Sequence, residues 1–111
     1  MSTIHVIDRD AAARLAARRV LERAGFAVTA SPDAGIAPTS CPDLVTADLA
    51  AVSLSAIRRR YPATPVLALC GESVPAGTMA LLAGRLRKPF TPSQLLAAVR
   101  LCLARPGATT E

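Results

Sequence analysis

The chain predicts an α/β fold, a parallel sheet with helices on both faces. Three observations predict it. Short aliphatic and β-branched runs alternate along the chain with segments whose apolar residues recur at helical spacing. Two of those runs end on an acid, Asp8 and Asp48, as strands do when they deliver polar groups to one sheet edge. The last helical segment opens on Thr91-Pro92-Ser93-Gln94, an N-cap, a proline in the first turn and a glutamine three residues after the cap.

The elements follow in order. Residues 4–7 form a short apolar run, read as a strand buried on both faces. Asp10 is placed to cap the helix that follows, which runs to Ala24 with Ala13, Ala17, Val20 and Leu21 on one stripe. Arg14, Arg18, Arg19 and Arg23 lie largely off that stripe, and Gly25 is a good C-terminal stop. Residues 26–30 read as the second strand. The stretch 31–42 holds Pro32, Pro38, Pro42 and Gly35, so no more than one turn is expected around 34–37. Residues 44–47 are the third strand and 52–60 a helix closed by Tyr61-Pro62. Pro65 opens the fourth strand at 66–69. The segment 71–83 starts loosely and allows a short helix over 79–82. Residues 85–87 read as a brief edge strand with polar residues on one face. The last helix is expected to reach about residue 103. Fewer than five full helices are therefore expected. A single domain over 1–105 with a short tail, 106–111, accounts for the chain.

Composition removes several classes of function. Hydrophobic residues make up 51% and aromatic residues 3%, so the core is aliphatic and the chain is not a disordered tail. Cys41, Cys70 and Cys102 are odd in number, and His5 is the one histidine. A disulfide framework or zinc site is not expected, and His5 reads as a packed strand residue. No apolar run approaches the ~18 residues of a membrane span, and Asp8 and Asp10 interrupt any leader-like stretch. A cytoplasmic location is the expectation. The net charge of +5 permits an acidic or nucleic-acid partner. Its Arg residues are read chiefly as solvated helix faces, with Arg58, Arg59 and Arg60 complementing a helix C-terminus.

Asp8 after strand one, Pro42-Asp43-Leu44-Val45 leading to Asp48, Pro65-Val66 opening strand four and Lys88-Pro89-Phe90 form an ordered set of anchors. In that order the chain resembles the receiver domains of bacterial response regulators over about residues 3–104. The resemblance implies a flavodoxin-like, doubly wound parallel sheet of five strands in the order 2-1-3-4-5, with shortened helices. It implies a signalling module rather than an enzyme. Asp48 falls at the phosphoacceptor position, Asp8 and Asp48 at the metal pocket, and Lys88 and Cys70 at the positions that contact the phosphoryl group. Mg²⁺ is the one cofactor implied. A histidine kinase, a phosphotransferase, an effector domain or a second copy of the chain are the partners implied; nucleic acid and membrane are not.

The chemistry explains those residue types. A carboxylate must attack a phosphoryl group that is itself negative. Mg²⁺ and a lysine offset the repulsion. Arg9 stands where the family has a second acid, so any Mg²⁺ is expected to be weakly held. Its guanidinium is expected near Asp48 or Asp8, blocking the pocket. Cys70 takes the usual Ser/Thr switch position and offers only a weak donor. Arg85 takes the usual aromatic switch position. The intervals from Asp48 to Pro65 and from Cys70 to Lys88 are both short. These features describe a degenerate receiver, with phosphorylation at Asp48 impaired and action through protein contacts. The alternative is a small basic adaptor that binds nucleic acid through Arg14, Arg18, Arg19, Arg23 and Arg58 to Arg60, although the chain lacks a recognition motif and stacking aromatics. A nucleotide-binding enzyme is disfavoured, since no glycine-rich phosphate loop follows strand one.

Overall fold

The computed structural model describes residues 2–35, 41–49, 53–71, 76–79 and 81–104. Its elements are β1 (Thr3–Ile7), α1 (Ala11–Arg23), β2 (Ala27–Ser31), β3 (Leu44–Asp48), α2 (Leu54–Arg60), β4 (Val66–Cys70), α3 (Ala76–Met79), β5 (Gly84–Arg87) and α4 (Pro92–Ala104). The five strands form one sheet in the order β2-β1-β3-β4-β5, and every pairing is parallel. This is the expected doubly wound, flavodoxin-like arrangement. The expected tail, 106–111, lies outside the described residues.

Side chains alternate across the pleat and so divide the core in two. Ile4, Val6, Leu44, Leu67 and Leu69 pack beneath α1 and α4, against Leu21, Leu95 and Val99. Ile7, Val45, Ala47, Val66 and Ala68 pack on the other face against Ile57, Tyr61 and Leu82.

Local chemistry sets the helix ends. The Asp10 carboxylate accepts from the Ala12 amide at the start of α1. At its end the Gly25 amide donates to Glu22 O and the Phe26 amide to Leu21 O. Gly25 has φ +99°, which an L side chain rarely adopts. This is a Schellman closure. It ties Phe26 to the helix, so β2 starts at Ala27 rather than at residue 26. Thr91 and Gln94 cap α4 reciprocally: the Thr91 amide donates to Gln94 Oε1 at 2.8 Å and the Gln94 amide to Thr91 Oγ1 at 3.1 Å.

Two expectations are corrected. The short helix expected over 79–82 lies at Ala76–Met79, immediately after Pro75. The Leu81 amide closes it onto Thr78 O, and Leu82 enters the core instead. The helix expected from residue 52 begins at Leu54, because Ser53 Oγ takes the N-cap role and accepts from the Ala56 amide. Val52 and part of the turn expected at 34–37 lie outside the described residues. Between β2 and β3 the described residues contain no helix; Gly35 donates to Asp33 Oδ1 at 2.8 Å in a tight polar turn.

β5 and α4 pack closely at Gly84, so a side chain there needs its neighbours to give way by a few tenths of an ångström. A Cβ there would stand 3.1 Å from Cys102 Sγ and 3.4 Å from a Leu67 methyl. Gly84→Ala is therefore expected to cost about 1–2 kcal/mol by overpacking. Chemical denaturation of Gly84→Ala, Cys102→Ala and the double variant checks this. The double variant should lose less than the sum of the singles, because Cys102→Ala clears the contact.

Candidate functional site: a lysine between two aspartates at the sheet edge

The carboxyl ends of β1 and β3 lie side by side, so Asp8 and Asp48 meet at one edge of the sheet. Asp8 follows the last residue of β1, and its amide continues the ladder onto Ser31 O at 3.1 Å. Lys88 follows β5, and its amide continues that ladder onto Cys70 O at 2.9 Å. Between β5 and β3 stands β4, and adjacent strands are about 4.8 Å apart. Reaching β3 from beyond β5 therefore requires a long side chain that crosses the end of β4. Lys88 makes that crossing. Its Nζ donates to Asp48 Oδ2 at 3.1 Å and to Asp8 Oδ2 at 3.2 Å. The Lys88–Pro89 peptide is cis.

Partial burial disfavours the Lys88 ammonium, but the hydrogen bonds and charges of Asp48 and Asp8 outweigh it, and its pKa lies above the usual lysine value. Asp8 is almost wholly buried, and its Oδ1 accepts from the Asp10 amide at 3.0 Å. Among the described residues no group of three or more His, Cys, Asp or Glu side chains is placed to hold a metal ion.

The other residues singled out in the sequence fall around this cluster. Cys70 is buried at the end of β4, in register with Arg87. Arg85 is exposed on β5, and Arg9 is exposed beside Asp8. Arg58 and Arg60 lie elsewhere. The Arg58 guanidinium donates to Thr64 O and, at 2.9 Å, to Leu81 O; that of Arg60 donates to Gly35 O at 2.7 Å. Beside the cluster, a groove of about 560 Å³ runs between α1 and the start of α4, lined by Ala13, Ala17, Val20, Lys88 and Phe90 among others.

Sequence reading missed the partners of His5 and the role of Arg14. Ser31 Oγ donates its one proton to Asp33 O at 2.6 Å, so it must accept from His5 Nε2–H at 2.9 Å. That fixes the neutral tautomer, with His5 Nδ1 accepting from the Thr29 hydroxyl at 2.7 Å. Burial lowers the His5 pKa and so favours this neutral form. The alternation of β2, which puts Thr29 and Ser31 on one face opposite His5, was the available signal. Arg14 Nη1 donates to Asp8 O at 2.8 Å, a contact no sequence pattern announces.

No protein-family model and no curated protein matches the sequence. Solved structures do match. The chemotaxis response regulator CheY4 of Vibrio cholerae aligns over 92% of this chain and 98% of its own, at 24% identity and a TM-score of 0.78. A CheY-like receiver domain protein from Methanospirillum hungatei aligns over 93% and 94%, at 19% identity and a TM-score of 0.79. The fold is that of a response regulator receiver domain. A receiver protein from Burkholderia phymatum gives the same result, at 24% identity over 93% and 95% with a TM-score of 0.75. Within the receiver fold, Asp8, Asp48 and Lys88 all lie at the carboxyl edge of the sheet, where open α/β sheets bind their ligands. No described helix is long and apolar enough to cross a membrane.

Proposed function

We propose that this chain is a receiver-type signalling module of a two-component system, with Asp48 at the phosphoacceptor position and a metal pocket weakened by Arg9. The observation that carries the reading is the Lys88 ammonium held between Asp8 and Asp48. In the reaction so proposed, an Asp48 oxygen attacks phosphorus, an acyl phosphate forms, and the bond from phosphorus to the donor breaks. The lysine neutralises oxygens that gain negative charge. Asp8 and Asp48 already share their Oδ2 atoms with Lys88, and Asp8 Oδ1 serves the Asp10 amide. Asp8 and Asp48 are the residues that would hold Mg²⁺, which usually takes one or two carboxylates and keeps several waters; the positive charge of Arg9, exposed and next to Asp8 in the chain, would weaken that hold.

The reading favours action through protein contacts, with a kinase, a phosphotransferase, an effector or a second copy as partner. The mainly apolar groove, which Lys88 helps to line, would offer such a partner a surface next to the cluster. Incubation with a small acyl phosphate and Mg²⁺, followed by mass spectrometry, tests it. A minor fraction of the protein should gain one phosphoryl group, and Asp48→Asn should gain none. Equal labelling of Asp48→Asn would remove Asp48 from the role.

A further inference from the structure

Each of the four hydrogen-bonding groups of Asp8 is engaged. Its amide donates to Ser31 O; its Oδ1 accepts from Asp10 N, its Oδ2 from Lys88 Nζ, and its carbonyl from Arg14 Nη1 at 2.8 Å. The last of these has no counterpart in the sheet. β1 pairs with β2 and β3 only as far as Ile7, so the Asp8 carbonyl has run past both ladders. A buried carbonyl left there without a donor is unfavourable. Side chains on a helix lean towards its N-terminus, which lets Arg14, in the second turn of α1, reach back over the strand end.

We propose that Arg14 is a positioning residue for the charged cluster: its guanidinium pins the end of β1 and thereby holds the Asp8 carboxylate within reach of Lys88. The functional meaning rests on the receiver reading above, while the geometry does not. The two other groups that orient Asp8 without being part of the cluster are a strand carbonyl, Ser31 O, and a turn amide, Asp10 N. Arg14 sends a side chain from α1 itself to the strand end, and α1 forms one wall of the adjoining groove.

The experiment uses a property of the chain. Lys88 is its one lysine, so an amine-acylating reagent at fixed pH, read by peptide mass spectrometry, reports on that ammonium apart from the α-amine. Arg14→Ala is expected to increase the Lys88 acylation rate about fivefold, the scale of one hydrogen bond lost from the restraint. Two controls remove the same charge. Arg18→Ala lies on the same helix, where Arg18 pairs with Glu22. Arg58→Ala removes backbone hydrogen bonds far from the cluster. Both should leave the rate unchanged. Removing a positive charge without loss of position would strengthen the ammonium and slow the reaction, so a rate that falls or stays constant in Arg14→Ala overturns the proposal. An equal rise in Arg58→Ala also overturns it, because general loosening would then explain the effect. No phosphoryl transfer is involved, so failure of Asp48 labelling and failure of this test are separate results.

Discussion

Arg9→Asp is expected to increase Mg²⁺ affinity about 30-fold and to increase phosphorylation of Asp48 by a small acyl phosphate in parallel. The substitution changes the charge beside Asp8 by two units. At roughly 6 Å, with the screening of an exposed position, each unit is worth about 1 kcal/mol towards a divalent ion. Two units give ~2 kcal/mol, or about 30-fold. The new carboxylate can also serve as a ligand, which adds to the electrostatic gain. Arg9→Ala removes one unit and supplies no ligand, so its effect should be several times smaller. Isothermal titration with Mg²⁺ and mass spectrometry of the labelled chain measure the two quantities. Efficient labelling of the unmodified protein at millimolar Mg²⁺, with Arg9→Asp no better, would show that Arg9 does not weaken the pocket. The chain would then act as an ordinary receiver.

Arg58→Ala is expected to destabilise the fold by about 2 kcal/mol and to leave any binding of DNA unchanged. The arginine run at the end of α2 is part of the basic surface on which the nucleic-acid alternative rests, with Arg14, Arg18, Arg19 and Arg23. The Arg58 guanidinium, however, bridges two backbone carbonyls, Thr64 O before β4 and Leu81 O before β5. Hydrogen bonds from a charged group contribute about 1.5–3 kcal/mol when partly buried, and less where solvent competes. Arg60 is committed in the same way to the turn after β2, with Nη2 on Gly35 O. Arg59 is exposed and makes no hydrogen bond or ion pair among the described residues, so Arg59→Ala should stay within about 0.5 kcal/mol. Denaturant unfolding separates the two variants. Tight binding of duplex DNA that weakens steeply with salt, with Arg58→Ala reducing that slope, would instead favour the nucleic-acid reading.

The contrast between these arginines and the cluster shows which parts of the molecule are legible in a sequence. Asp8, Asp48 and Lys88 could be found because each ends a strand or directly follows one, and strands announce themselves by apolar runs. The capping pair Thr91 and Gln94, the Asp10 cap and the Gly25 closure were legible because the groups that interact are two to five residues apart. Arg14, Arg58 and Arg60 were not. Each sends a long side chain to a backbone carbonyl, and a carbonyl has no residue identity to read. Periodicity assigned Arg14 to a solvated face, and helix-end electrostatics accounted for Arg58 and Arg60 without a partner. The misplaced third helix has a different cause. Four residues make one turn, and one turn has too little intrinsic preference to fix its own position. Leu82 was read as its last apolar residue when the second core needed that side chain.

β4 is buried along its whole length, and its sequence, Val66-Leu67-Ala68-Leu69-Cys70, contains no charge. Such a segment is the kind that pairs with other chains when its edge is open. In the native sheet its outer edge is covered by β5 alone, the last strand in the chain order. A nascent or partly unfolded chain therefore exposes β4 until residues 84–87 have docked. β5 is short, and two of its four residues are arginines that stay exposed after docking. Charged side chains on a short edge strand discourage a further strand from adding to it. Arg85 and Arg87 are thus expected to act as gatekeepers that discourage a sixth strand and keep β4 apart from neighbouring molecules.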